Sequence, residues 1–310
     1  MTRIGTSELD VRPLSLGGNV FGWTADEAES HRVLDAFVDG GGDFVDTADV
    51  YSAWSDGGAG ISETYIGTWL ARSGKRDRIV LATKVASKED RKGLGADTIR
   101  KAVDESLQRL QTDRIDLYWS HQDDRNTPLE ETLGAYDELV RAGKVRAIGA
   151  SNHTGARLQE ALEVSRREGF TAYVALQNNY SLVEREEYER DAAPVVAANG
   201  LASIPYYALA SGFLTGKYRP GQLAQSQRQA NAAKYLEQPR GPKVLEALDA
   251  AAAHHGVEVA SVALAWLRQQ ETVVAPIASA RTVEQLPALL ASMDLELSAD
   301  ELTALDHASR

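Results

Sequence analysis

The chain has 310 residues, with 45 acidic against 33 basic side chains and a formal net charge of −12. That balance excludes a general nucleic-acid or anionic-membrane surface, so a phosphate-bearing ligand needs a local basic site. Cysteine is absent, which removes disulfides, thiolate metal sites and cysteine nucleophiles and agrees with a reducing, cytoplasmic compartment. No run approaches the roughly 18 apolar residues of a membrane span, and residues 1–16 carry no export-type apolar region.

In chain order, Arg3-Ile4-Gly5-Thr6-Ser7-Glu8-Leu9-Asp10-Val11 predicts an N-terminal β-hairpin, with alternation on either side of a Gly-Thr-Ser turn. Eight β-branched or aromatic runs follow at 12–16, 43–45, 78–83, 115–120, 145–150, 173–177, 201–205 and 273–277. Between them lie helix-period segments. Ile99, Val103, Leu107 and Leu110 form one stripe after Asp97. Thr127-Pro128-Leu129-Glu130 predicts a Thr-capped helix carrying Leu133, Tyr136 and Val140. Glu184-Arg185-Glu186-Glu187 predicts an exposed helix start. Residues 219–240, rich in Gln, Ala, Gly and Pro, predict a functional or mobile loop. His254-His255-Gly256 predicts rings resting on a helix C-terminus and no metal site. Thr282 with Gln285 is spaced as a capping box, and Ser298 with Glu301 caps a last helix bearing Leu302 and Leu305. His31, His153 and His307 are expected in solvated or packing roles.

No linker breaks this alternation, which predicts one α/β domain over 1–310. Eight parallel strands, each followed by a helix, close into a (β/α)8 TIM barrel, here with the hairpin in front and extra helices at the C-terminus. An open doubly wound sheet would announce Gly-x-Gly-x-x-Gly after its first strand. The turn present, Leu16-Gly17-Gly18-Asn19-Val20-Phe21-Gly22, has the wrong spacing.

In a barrel the chemistry sits where strands pass into their following loops. Those junctions read Val45-Asp46-Thr47-Ala48-Asp49-Val50-Tyr51, Thr83-Lys84, Ser120-His121, Ala150-Ser151-Asn152, Gln177-Asn178-Asn179-Tyr180 and Pro205-Tyr206-Tyr207. Asp46, Tyr51, Lys84 and His121 at these spacings resemble the catalytic tetrad of the aldo-keto reductase superfamily. The resemblance spans nearly the whole chain and includes Ser62-Glu63-Thr64-Tyr65-Ile66-Gly67 and Leu209-Ala210-Ser211-Gly212-Phe213-Leu214-Thr215-Gly216-Lys217-Tyr218.

The chemistry fits the residue types. Reducing a carbonyl builds charge on its oxygen, and a positioned acid must supply a proton. A free tyrosine, with a pKa near 10, is a weak donor. An adjacent lysine ammonium is expected to lower that pKa, and an aspartate to keep the lysine charged. Tyr51 is therefore the expected proton relay, Lys84 its tuner, Asp46 the anchor and His121 the group that orients the carbonyl.

The resemblance implies NAD(P)H-dependent reduction of an aldehyde or ketone to the alcohol, with sugar-derived and aromatic carbonyls both allowed. It further implies a nucleotide spread across the barrel mouth and entering first. Ser151, Asn152 and Gln177 match positions that hold the nicotinamide carboxamide, Tyr206 the aromatic that stacks on its ring, and Leu209 and Ser211 positions near the pyrophosphate. Ser279, Arg281 and Gln285 stand where a 2′-phosphate would be met at a helix start, which favours NADPH with NADH also accommodated. In this chain Ala278 replaces the usual Gly of that turn, and Pro287-Ala288-Leu289 replaces a Glu-Asn pair that contacts adenine. Trp23 and Trp54 are candidate walls of the substrate pocket. The expected partner is a small carbonyl compound, with no nucleic acid or membrane; the sequence is silent on oligomeric state. Two rivals are a nucleotide-sensing interaction protein similar to potassium-channel β subunits, and an aldolase using Lys84 as a Schiff base. The aldolase leaves Tyr51, His121 and Gln177 without a task.

Overall fold

The computed structural model describes residues 1–55, 57–219, 221 and 229–310. Thr2–Arg3 (β1) and Asp10–Val11 (β2) pair antiparallel, as the hairpin reading has it. Eight parallel strands follow in the main sheet: Ser15–Gly17 (β3), Phe44–Asp46 (β4), Val80–Val85 (β5), Ile115–Ser120 (β8), Val145–Ser151 (β9), Tyr173–Gln177 (β10), Ala202–Ser203 (β11) and Ile277–Ala278 (β12). A small ribbon, Ser87–Lys88 (β6) with Arg91–Lys92 (β7), extends the loop after β5.

The ladder runs β11-β10-β9-β8-β5-β4-β3-β12, and backbone bonds close its two ends. Ser203 N–H donates to the Thr272 carbonyl at 2.8 Å, Val274 N–H to Ser203 at 2.9 Å and Ile277 N–H to Pro205 at 2.9 Å. The result is the predicted (β/α)8 barrel. Glu27–Asp39 (α1), Ile61–Ser73 (α2), Ala96–Leu110 (α3), Leu129–Arg141 (α4), Gly155–Glu168 (α5), Ala193–Ala198 (α6), Gln229–Leu236 (α7), Arg240–His255 (α8), Val259–Arg268 (α9), Leu286–Ala291 (α10) and Ala299–Ser309 (α11) make the outer layer.

Side chains on a strand alternate between faces, and this period of two sets the inside of the barrel. Phe44, Ala82, Leu117, Trp119, Ala147, Ala175, Ala202 and Ala275 share one buried cluster there, stoppered by Ile4, Leu9 and Val11 of the hairpin. Five alanines, at 82, 147, 175, 202 and 275, leave room for the Trp119 indole beside the larger Phe44, Leu117, Ile204 and Val274. A Cβ on Gly149 would lie 2.3 Å from the Trp119 ring, so only glycine admits that indole opposite it. The same parity carries forward along each strand. Asp46 follows Phe44 by two, Lys84 follows Ala82, Ser151 follows Gly149 and Gln177 follows Ala175, so four polar residues crown the apolar filling at the C-terminal rim.

Several local expectations are corrected. The β4 and β5 strands run on through Asp46 and Lys84, residues whose polarity suggested a strand end but which are buried inside the mouth. The runs at 201–205 and 273–277 yield only the two-residue strands β11 and β12, with Thr272 at positive φ and Pro276 lacking an N–H for a ladder. Thr127 does not cap α4: Pro128 holds the cap position, and Thr127 Oγ1 donates to Asp124 at 2.7 Å. Thr282 and Gln285 do not form a capping box, since Gln285 accepts from the Arg281 N–H at 2.8 Å. Ser298 and Glu301 do form one.

Arg185, read as part of an exposed run, is only 7% exposed. Its guanidinium lies 4.9 Å from the Trp266 ring and donates to Glu189 and to Asp306 and Ser309 of α11. Within the expected loop 219–240, Gln229–Leu236 is helical; Pro220 and 222–228 lie outside the described residues. The rings of His254 and His255 sit on Glu301, at 2.9 and 3.1 Å, instead of on α8 carbonyls.

Candidate active site

At the barrel rim β4 and β5 are neighbours, which brings Asp46 and Lys84 together from 38 residues apart. Lys84 is fully buried and Asp46 nearly so. The ammonium makes three contacts. It donates to the Asp46 carboxylate, to the Thr47 carbonyl at 2.7 Å and to the Tyr51 phenol at 3.1 Å. Gln177 Nε2 donates to the other Asp46 oxygen at 3.1 Å. Burial works against the Lys84 charge, but Asp46 and Tyr51 outweigh it and hold the lysine above its ordinary range. Burial also pushes the Asp46 carboxyl up, against the pull of Lys84 and Gln177. The proton of the pair stays on the lysine.

Lys84 pulls the Tyr51 phenol down, as expected, but burial is the larger effect and leaves it raised on balance. The Asp46 charge behind Lys84 partly cancels the downward pull. His121 stands beside Tyr51, with ring centroids 6.0 Å apart. Burial first, and the Lys84 charge second, depress its pKa to about 3, so the ring is neutral at ordinary pH. Its Nδ1 is buried with no hydrogen-bond partner among the described residues.

Tyr51 and His121 open into a cavity of about 800 Å³ whose lining includes Trp23, Trp54, Ser151, Asn152, Gln177 and Tyr206. Leu209, Ser211, Ser279, Arg281 and Gln285 line the same space. Asp46 and Lys84 stand behind Tyr51 and do not line it. All thirteen of the other residues expected at the site from sequence therefore face one cavity. The size falls within the usual range for small-molecule and cofactor pockets, about 300–1,000 Å³.

Asn152 adopts φ of 56°, a left-handed conformation that asparagine tolerates better than most residues. Its amide donates to the His121 carbonyl at 2.8 Å and to Ser151 Oγ at 3.2 Å, and accepts from the Tyr206 hydroxyl at 2.7 Å. Trp23 and Trp54 meet edge to face at 5.9 Å, and Trp54 is 6.0 Å from Tyr51. Across the cavity mouth, Ser279 Oγ donates to Asn19 at 2.6 Å. That approach requires Gly17, where a Cβ would lie 2.7 Å from the same Ser279 oxygen.

The loop after β11 is held in unusual backbone: Tyr207, Ala210 and Ser211 all have positive φ. Such conformations cost about 1–3 kcal/mol each and persist where surrounding structure enforces them, often at ligand clamps. Sequence reasoning left out Lys217, Asn19, Tyr207, Gln122 and Glu258, all of which line the cavity. For Lys217 a signal existed. An acidic chain needs a local cation for any phosphate ligand, and this lysine lies in the Gly-Lys-Tyr segment already singled out.

Comparison with known proteins agrees with this architecture. The model of the aldo/keto reductase family matches residues 13–310. The chain is 36% identical to an uncharacterized oxidoreductase, YrpG, of Bacillus subtilis, over 98% of this chain and 94% of the relative. It is 33% identical to the norsolorinic acid reductase stcV of Emericella nidulans, over 96% and 78%. It is 30% identical to an aryl-alcohol dehydrogenase [NADP(+)] of Phanerodontia chrysosporium, over 96% and 82%.

Proposed function

Since this chain belongs to the aldo/keto reductase family and is an NAD(P)H-dependent oxidoreductase, we propose that it reduces aromatic aldehydes or ketones with NADPH, Tyr51 giving the proton. Residues 1–310 act as one unit in this reading. The observation that carries it is the triple contact of the Lys84 ammonium with Asp46, Thr47 and Tyr51, directly behind a phenol that faces the cavity.

The fit of a dinucleotide rests on the donor set. Asn152, Ser151 and Gln177 supply amide and hydroxyl groups beside Tyr51, and Lys217 and Arg281 are the two cations among the described lining residues. These residues would hold a nicotinamide amide and the phosphates, with Tyr206 against the ring. The bound nucleotide supplies the hydride. As charge grows on the substrate oxygen, Tyr51 donates its proton, and the fixed Lys84 charge stabilises the phenolate left behind. Asp46 and the Thr47 carbonyl keep that ammonium aimed. Neutral His121, with a ring N–H directed at the carbonyl oxygen, would fix the direction of the carbonyl. The wall of Trp23, Trp54 and Tyr207 supports a flat aromatic substrate, as do relatives named for aryl alcohols and norsolorinic acid.

The test mixes purified protein with NADPH or NADH and a panel of aromatic and aliphatic aldehydes, following loss of reduced-nicotinamide absorbance. Aromatic aldehydes should give the higher kcat/KM, and Tyr51→Phe should lose about 10²–10⁴-fold. Consumption unchanged in that variant removes the proton assignment. Arg281→Ala should weaken NADPH more than NADH; equal losses remove the 2′-phosphate contact.

A further inference from the structure

At the far end of α8, His254 and His255 converge on Glu301 at the start of α11, and none of the three lines the cavity. Two consecutive histidines on a helix normally diverge by about 100°. Here α8 ends at Gly256 with φ of 64°, and the rings turn to face one carboxylate, their centroids 4.8 Å apart. His254 Nδ1 is 2.9 Å and His255 Nε2 3.0 Å from the same oxygen, Glu301 Oε1. One ligand atom from each residue lies within 4.8 Å of the others.

Two nitrogens and a carboxylate oxygen are a borderline-soft donor set suited to zinc. Ligands about 2.0–2.1 Å from a tetrahedral ion stand roughly 3.3 Å from one another. The two His–Glu301 spacings are a few tenths of an ångström short of that, while the three ligand atoms span up to 4.8 Å, so the two imidazole nitrogens close toward each other and the carboxylate backs off slightly to admit an ion. His254 is 73% exposed, which lets its ring adjust and leaves a coordination position open to water. Glu301 is already held by the N–H and hydroxyl of Ser298 at 2.8 and 2.9 Å, an outer shell that fixes the carboxylate.

We propose that His254, His255 and Glu301 bind one zinc ion that clips the C-terminal helix α11 onto α8. The role is structural and separate from carbonyl reduction. The experiment is calorimetry of the full chain, without a histidine tag and stripped by chelator, titrated with zinc chloride near pH 7.5. One equivalent should bind and raise Tm, with magnesium failing to compete. His254→Ala and His255→Ala should each weaken binding about tenfold or more. Glu301→Gln should do the same while keeping the helix cap, because Gln also serves at that capping position. Absence of saturable binding overturns the site, as does a full equivalent retained in both histidine variants. NADPH oxidation unchanged by His254→Ala is the expected companion result; loss of activity there would refute the separation from the cavity.

Discussion

Replacing Lys84 by Met tests the site at its centre. With 3.1 Å between the ammonium and the Tyr51 oxygen, and an effective dielectric of about 20, the attraction for a phenolate is roughly 5 kcal/mol, or about 4 pKa units. Asp46 on the other side of the ammonium offsets part of this, so the usable share is smaller. Methionine keeps the volume and removes the charge. The Tyr51 phenol then rises further, and kcat/KM for an aldehyde should fall about 10²–10⁴-fold. The same change strands the Asp46 carboxylate, 1% exposed, without its cation. Breaking a buried pair from one side costs about 3–5 kcal/mol, whereas removing both charges is often nearly neutral. Urea unfolding should therefore show Lys84→Met strongly destabilised and Lys84→Met/Asp46→Asn largely restored, while both stay inactive by nicotinamide absorbance. Lys84→Met retaining activity within threefold of the parent would refute the tuning role, and a double variant no more stable than the single would refute the stranded-charge argument.

Asp49 is 2% exposed, with one carboxylate oxygen unpartnered among the described residues, and burial raises its pKa to about 7. The folded chain thus keeps a proton there that the unfolded chain has lost, from about pH 4 to about pH 7, so this group's contribution to stability declines as pH rises through that window. Asp49→Asn should be more stable than the parent by a few kcal/mol at about pH 8, converging below about pH 4; equal unfolding midpoints at both pH values would contradict this. His121 has the opposite sign. Its depressed folded pKa means protonation is refused as pH falls from about 6.5 to about 3, and stability declines by roughly 1.4 kcal/mol per pH unit in that range. A His121→Asn variant should show a shallower acid decline, which unfolding at stepped pH would reveal. Gly149→Ala drives a methyl into the Trp119 ring and should cost about 1–3 kcal/mol. Because Ser151 and Asn152 follow on the same segment, its KM for NADPH should rise more than its kcat falls, and an unchanged KM would count against that linkage.

What could be read from the chain alone follows the physics of each signal. Eight strand runs and their junctions with the following loops were enough to put Asp46, Lys84, Ser151 and Gln177 on one rim, because strand order is a property of the chain; that the strands run on through Asp46 and Lys84, so that alternation turns them inward, needed the register. The barrel filling was less legible: nothing local in Gly149 says that an indole from the neighbouring strand occupies its missing side chain. Charge was the weakest guide. Arg185 looks solvated among glutamates, yet its guanidinium carbon lies over Trp266 and its nitrogens reach α11, partners more than 80 positions away.

The net direction at Tyr51 was out of reach for a related reason: the Lys84 pull is there, but burial outweighs it. Pairing the phenol with a cation is a two-body argument, and burial adds an opposing contribution that depends on everything packed around both groups. Burial makes the phenol a weaker acid, so the Lys84 charge becomes most valuable when the proton has left. The ammonium therefore stabilises the phenolate of the transition state more than the resting phenol, which is the differential that accelerates a step.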